Sequence, residues 1–534
     1  MKFRTSRISL VLLLCVLAAG PAFASAYDGQ PKLIVIVIVD QLRADLLERG
    51  RSRFGNNGFR LLMDRGANFL NCNYEYANTV TAPGHATLLT GAYTDGHGIL
   101  SNEWWDPVKK RVVAPVADDA TRIVGIAGNA PGASPRNLLS DTLGDELRLA
   151  TRGKSRVFTT SLKDRAAVFT GGFSANGVYW MDPDSGAWVS STFYGNQLPK
   201  WVQDFNAGKR ADKYWDLQWK DSTGKVMAET KRTSDAKFTE VVGATSFAME
   251  YQFEFARELV SQEKLGNSGS TDLLVVSIST PDILGHRLGP DSHEAEELLV
   301  QLDSKLADFF SFLGRQVGLA NTWIVLSADH GVSPLPEEAA KWRIPSAHLD
   351  AGQIRRQLNA LISAQFHSQG EYVADVHWPQ IFLSQDSFTT MRIGEADAER
   401  MVGDALLQIG MRRYFTKWQL ARGDVPPGPT GQLYLNSYSP YGGWYVLGVP
   451  QPFRIAGSGT THGSLYRYDT HVPLAFFGLP FRAGQYRTTS EPVDLAVTLA
   501  SMLGINPPAA ARGRVLTEML VTNNSPSGGS GSPK

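Results

Sequence analysis

Seven successive apolar residues over Leu33–Val39, all but one β-branched, leave little freedom in how this segment is buried. An amphipathic helix repeats its apolar positions every three or four residues, and a half-buried strand alternates them; this run does neither. It predicts a central strand of a parallel sheet, covered on both faces. The run ends in Asp40, and the pattern recurs where residues 273–278 lead to Asp282 and residues 322–326 lead to Asp329. Helical stretches lie between, the longest an amphipathic one over residues 291–314. Strands alternating with helices predict an α/β fold. Ligands of open α/β sheets gather at the carboxyl ends of the strands. The three acids therefore predict a site as well as a fold.

Two regions depart from this grammar. Residues 173–235 are rich in aromatic, glycine and polar residues, with a hairpin expected from residues 178–181 and 187–194 around Asp182-Pro183-Asp184-Ser185-Gly186. Residues 334–457 are mixed and interrupted by proline and glycine. Both read as insertions that cover the mouth of the site. Residues 472–477 then return as a strand and residues 493–503 as a helix. The chain divides into a signal peptide at 1–26, one domain at 27–522 and a disordered tail at 523–534, rich in Ser, Gly and Pro.

The signal peptide is read from Lys2, Arg4 and Arg7, a short apolar run, and small residues for cleavage after Ala24 or Ala26. Export to the periplasm or beyond follows, with no membrane anchor once the segment is removed. Lys plus Arg and Asp plus Glu both number 52, so no charge excess marks a nucleic-acid partner. Cys72 is the one cysteine outside the signal segment, which excludes an internal disulfide, and it reads as a small buried hydrophobe. A monomer is expected.

The chemistry concentrates around Thr79–His85. Thr81 precedes a helical stretch at residues 86–90, so its hydroxyl is placed at a helix N-terminus, with Pro83 in the first turn. Asp282 and His286 are four apart and share a helical face. Asp329 and His330 are adjacent and reach one site only if the chain turns, which Gly331 permits. His462 sits in a loop of Gly, Ser and Thr. Each has a bland reading: Asp40 as a helix cap, Asp282 and His286 on a solvated face, His330 in the core, His462 on a surface loop. Their coincidence at element ends points to an oxygen- and nitrogen-rich set able to hold two metal ions around one hydroxyl. The remaining histidines read as structural, with His85 and His471 expected nearest the site. Lys163 and Arg165, two apart on an extended segment, project to one side; alone they read as a solvated cationic edge.

Taken in order, these motifs resemble the alkaline phosphatase superfamily, and within it the threonine-nucleophile, phosphate-irrepressible alkaline phosphatases of bacteria. Thr81-Ala82-Pro83-Gly84-His85 resembles the nucleophile motif, Asn102 the phosphate-binding asparagine, and Lys163-Asp164-Arg165 the Lys-x-Arg phosphate clamp. Asp282 with His286, Asp329-His330-Gly331 and Thr461-His462-Gly463 resemble the metal motifs. The resemblance implies an α/β/α sandwich around a mostly parallel sheet. It implies two zinc ions, one held by Asp282, His286 and His462, the other by Asp40, Asp329, His330 and the Thr81 oxygen. It implies broad hydrolysis of small phosphate monoesters through a phosphothreonine, with minor diesterase activity. A nucleotide pyrophosphatase or phosphodiesterase of the same superfamily is the alternative, and a non-catalytic metal-binding protein a more distant one. Thr81 stands against a sulfatase, whose nucleophile is an oxidised Cys or Ser.

Overall fold

The computed structural model describes residues 29–128 and 130–521, so the expected signal peptide and the whole of the expected tail lie outside the described residues. The strands used below are β1 (Leu33–Val39), β2 (Ala67–Asn73), β3 (Ala117–Val124), β4 (Pro131–Ala133), β5 (Val157–Ser161), β6 (Gly177–Met181), β7 (Trp188–Ser191), β8 (Asp272–Ile278), β9 (Thr322–Ser327), β10 (Val373–His377), β11 (Gln380–Leu383), β12 (Arg413–Thr416), β13 (Tyr445–Val449), β14 (His471–Phe477) and β15 (Gly484–Tyr486). The helices are α1 (Thr81–Thr90), α2 (Asp164–Gly171), α3 (Ser246–Gln262), α4 (Thr280–Leu288), α5 (His293–Gln316), α6 (Ala351–Phe366), α7 (Glu395–Gln408) and α8 (Asp494–Leu503).

One sheet of 11 strands runs β15-β2-β14-β9-β1-β8-β5-β6-β7-β3-β4. Its centre, β9-β1-β8-β5-β6, is parallel throughout. Strand β14 pairs antiparallel with β9 on one flank, and β7 pairs antiparallel with β6 on the other. Every residue of β1, β8 and β9 is buried, which is why these strands read as unbroken apolar runs and not as alternating ones. Each fully buried Val, Ile or Leu contributes about 1.5–3 kcal/mol. Helices α1, α2 and α8 pack together, as do α3 and α5, and both groups join the sheet's core.

Register places the site. Leu33 lies opposite both Asp272 and Thr322, and Val39 opposite Ile278, so β1, β8 and β9 finish on one rim. The strands predicted at 33–39, 178–181, 273–278, 322–326 and 472–477 and the helices at 291–314 and 493–503 are found within about two residues of their expected ends, whereas the strand expected at 187–194 ends at Ser191 and the helix expected at 86–90 begins at Thr81.

Residues 173–235 need correction. Strands β6 and β7 belong to the central sheet: Thr160 pairs with Tyr179, Trp180 with Val189, and Trp188 stacks on Phe255 of α3 with ring centroids 4.0 Å apart. The aromatic composition reflects a wide sheet edge packed on a helix, so the first part of this region is core and not cover. Residues 334–457 form a second layer, joined to the first through Phe382, Phe415, Tyr445 and Leu447, which share an apolar cluster with Ala82, Phe169 and Val178. There β10-β11-β13-β12 make an antiparallel sheet backed by α6 and α7, with its own apolar cluster that includes Leu358, Ile381, Phe388 and Leu406. Cys72 is buried in β2 and unpaired. Among the described residues no helix is long and apolar enough to cross a membrane.

Candidate active site

Asp40 follows β1 directly, while Asp282 and His286 stand one turn apart on α4. Asp40 caps no helix, since the next one is Ala44–Gly50 with Arg43 at its N-cap. After β9 the chain bends at Asp329, and Gly331 follows where a Cβ would lie 2.2 Å from the Tyr468 carbonyl oxygen, so no larger residue fits. That bend brings Asp329 and His330 to the same rim. His286 Nε2 lies 3.2 Å and His462 Nε2 3.5 Å from Asp282 Oδ1. His330 Nε2 lies 3.4 Å from Asp40 Oδ1 and 3.3 Å from Asp329 Oδ2.

Each histidine is held from behind. Nδ1 of His286, His330 and His462 faces the carbonyl of Thr460, Gly331 and Thr79 at 2.8, 2.9 and 2.8 Å. A carbonyl only accepts, so Nδ1 carries the proton and Nε2 keeps its lone pair toward the acids, the tautomer a metal-binding histidine needs. Burial pushes His330 down to about 3 and also lowers His462, keeping both rings neutral.

Asp282, His286 and His462 place donor atoms within 4.8 Å of one another, and so do Asp40, Asp282 and His330. Asp282 is thus common to both groups. Asp40 Oδ1, Asp329 Oδ2 and His330 Nε2 are buried with no hydrogen-bond partner. Donors around a tetrahedral zinc with bonds of about 2.0–2.1 Å stand roughly 3.3 Å apart, close to the separations seen here. Burial, reinforced by Asp282 and Asp329, pushes Asp40 well above the usual carboxylate range. Burial opposes ionisation of Asp282 as well, but His286 and Lys163 outweigh it and hold that carboxyl well below its usual range. Three buried carboxylates, unpaired oxygens and neutral imidazoles form a set that cations complete. The residues fit bound metal ions.

Thr81 is the first residue of α1 and 1% exposed. Gly84 lets that turn approach the sheet: a Cβ there would lie 2.2 Å from the Asp329 carbonyl oxygen. Thr81 Oγ1 lies 3.4 Å from Lys163 Nζ, which donates to Asp40 Oδ2 at 2.6 Å and to Asp282. The Ala82 N–H donates to Asn102 Oδ1 at 2.8 Å, which orients that amide and leaves Nδ2 as its donor. Because this N–H is used and Pro83 has none, the helix start offers fewer free donors than its sequence suggested.

Lys163 and Arg165 do not share an extended segment. Lys163 is extended (φ −101°, ψ 135°) at the start of α2, and Arg165 lies in that helix's first turn. Strand alternation therefore fails between them. The Lys163 ammonium points to the acids. Arg165, its Nε buried without a partner, lines a cavity of about 380 Å³ with Lys163, Trp180, Met181 and Ile283. A second cavity of about 410 Å³ joins Asn102, His286 and His462 to His377, Trp378 and Gln380 of the small sheet.

Sequence reasoning missed Gln41 and Asp469. Gln41 bonds Asp282 and Asp329. Asp469 accepts from the Ser464 N–H at 2.9 Å, and the Ser464 carbonyl accepts from Thr79 Oγ1 at 2.8 Å, bracing the loop that carries His462. An Asp three residues beyond an aromatic in a short helix gives no periodic signal. His85 lies at the site, its Nδ1 2.9 Å from the Thr81 carbonyl and 3.2 Å from Asp329 Oδ2. His471 does not; it faces the Leu70 carbonyl on β2.

The sequence profile of the type I phosphodiesterase / nucleotide pyrophosphatase family matches residues 34–377. The chain is 32% identical to alkaline phosphatase PhoV of Synechococcus elongatus, across 97% of this chain and 100% of that protein. It is 29% identical to a protein of Myroides odoratus named calcium-transporting ATPase, across 96% and 99%. It is 30% identical to alkaline phosphatase PafA of Elizabethkingia meningoseptica, across 92% and 95%. The crystal structure of wild-type PafA superposes with a TM-score of 0.83 at 29% identity, covering 92% of this chain and 99% of that one.

Proposed function

The chain belongs to the type I phosphodiesterase / nucleotide pyrophosphatase family and is a phosphatase, and from that premise we propose that it is an exported two-zinc alkaline phosphatase acting on phosphate monoesters through a phosphothreonine at Thr81. One observation carries the reading. The Thr81 hydroxyl lies 3.4 Å from an ammonium that is itself bonded to Asp40 and Asp282, the acids of the two metal-binding groups. A nucleophile, a phosphate-binding cation and both sets of metal donors thus meet at one point.

Asp282, His286 and His462 would hold one zinc, and Asp40, Asp329 and His330 the other. Zinc bound there would supply Lewis-acid stabilisation of charge on the attacking and leaving oxygens and would favour the ionised hydroxyl. Thr81 Oγ1 then attacks phosphorus, the ester P–O bond breaks, and the alcohol departs; water hydrolyses the phosphothreonine and restores the hydroxyl. Asn102 Nδ2, Lys163 and Arg165 bind the non-bridging oxygens. A monoester carries one more charged oxygen than a diester, so this clamp favours monoesters. The cavity beneath the small sheet is of a size that accepts varied leaving groups, which supports broad specificity. The apolar cavity beside Arg165 could take a second ester substituent, which supports minor diesterase activity. Export rests on the signal features of residues 1–26.

The test is a rate profile of the zinc-replete protein across monoesters, diesters and sulfate esters, with Lys163→Ala and Arg165→Ala alongside. Monoesters should be the fastest substrates, and the substitutions should lower monoester rates more than diester rates. A preference for diesters, or equal losses on both, would overturn the reading in favour of a phosphodiesterase.

A further inference from the structure

Gln41 follows Asp40 at the end of β1 and holds an uncommon conformation for a side-chain-bearing residue, φ +68°. That turn aims two donors in different directions. Its backbone N–H donates to Asp329 Oδ1 at 3.1 Å, and its side-chain Nε2 donates to Asp282 Oδ1 at 2.8 Å. The consequences at the two carboxylates are complementary. With Oδ1 of Asp329 taken by Gln41 and by the His330 N–H, Oδ2 is left as the buried, unpartnered atom that faces His330 Nε2. On Asp282, Gln41 fixes the same Oδ1 on which His286 and His462 converge.

Space for this arrangement is provided from another element. Gly285, on α4 between Asp282 and His286, is where a Cβ would lie 2.0 Å from Gln41 Oε1. The Gln41 amide therefore occupies room that only a glycine leaves. Gln41 is 4% exposed, and its side-chain amide carries no charge, so it does not add to the carboxylate repulsion.

We infer that Gln41, seated against Gly285, is the positioning residue that sets the spacing of the two cation sites by holding one carboxylate from each. The inference rests on the two-zinc reading. It predicts a defect in metal binding that can be measured without substrate.

The experiment is stepwise zinc binding by chelator competition, with metal analysis after dialysis, on wild type, Gln41→Gly, Gly285→Ala and the double variant. Glycine suits the φ at position 41, and the clash made by Gly285→Ala falls on the end of a flexible side chain, so both backbones are accommodated. Melting of the metal-free proteins checks that they fold. Wild type should bind two ions. Each single variant should bind the weaker ion about 10- to 100-fold less tightly, in the range of lost partners behind metal ligands. The double variant should be no worse than the poorer single one, because both act through the same amide. Wild type binding fewer than two ions would overturn the two-zinc reading itself. Wild type binding two, with unchanged affinity in folded variants or additive losses in the double, would overturn the role of Gln41 alone.

Discussion

The rim of the central sheet and the small sheet that closes the cavity above it follow opposite rules. On the rim, side chains are tied to the frame behind them: Asp282 by Gln41, Lys163 and His286, His462 by Thr79, and His330 by Gly331. On the small sheet, His377 and Trp378 border the same cavity, yet His377 is held only within its own layer, by Asp375 at 2.9 Å. In the proposed reading the chemistry belongs to the rim, and the leaving group meets a layer that has its own core on one face and shares an apolar cluster with the main sheet on the other. Substitutions on the rim should therefore alter the reaction for every substrate, and substitutions on the small sheet should alter which substrates fit.

The largest effect that would break this division is at Thr81. Thr81→Ala should lower turnover of every monoester by on the order of 10⁴-fold or more, with zinc content unchanged; substantial residual turnover would remove Thr81 from the chemistry. Chelation comes next. Because metal binding is coupled to folding, removing it should abolish activity and lower the melting temperature together, as calorimetry on the same sample would record. Full activity and an unchanged melting temperature after exhaustive chelation would contradict a metal-built rim.

Lys163→Ala should cost roughly 10²–10³-fold on monoesters, the scale for losing one preorganised charge partner, and less on diesters. Trp378→Ala marks the other side of the division. It should raise KM for bulky aryl phosphates by roughly tenfold and leave methyl phosphate unaffected. An equal loss on both esters would mean that the small sheet takes part in the chemistry.

The smallest effect concerns Glu399 of α7, buried within the small-sheet layer, where it accepts the Trp418 N–H at 2.8 Å. Burial raises its carboxyl to about 8, although that N–H and the Tyr445 N–H pull it down. The folded layer thus keeps a proton that the unfolded chain gives up near pH 4.5. This contribution to stability is complete below that pH and is lost as pH rises toward about 8, with a slope approaching 1.4 kcal/mol per unit. Melting temperatures at pH 5 and 8 should differ less in Glu399→Gln than in wild type. The same pH slope in both would assign the dependence elsewhere.

The same contrast explains what the sequence made legible. Strands β1, β8 and β9 were readable because burial on both faces leaves an unbroken apolar run, and the residues just past their ends were readable because parallel strands in register finish together. Asp40, Asp282, Asp329 and their histidines are brought together for that reason. Strands β6 and β7 pair as the hairpin expected from sequence, but their place in the central sheet is not legible, because short aromatic strands at a sheet edge have the composition of a cover. The geometry of Lys163 and Arg165 was misread because α2 begins between them, and two residues across a helix start do not alternate. Gln41 was invisible for a different reason: its role depends on a left-handed turn and on the absence of a side chain at Gly285, some 240 positions away, and no local pattern records either.

The central claim is that Thr81 accepts phosphate between two metal ions. Acid quenching of the zinc-replete enzyme during steady-state hydrolysis of a monoester, followed by peptide mass spectrometry, tests it most directly. Phosphate should be found on Thr81 in the wild-type protein and be missing from Thr81→Ala. Rapid turnover with no phosphate trapped on Thr81, together with an active Thr81→Ala enzyme, would contradict the account.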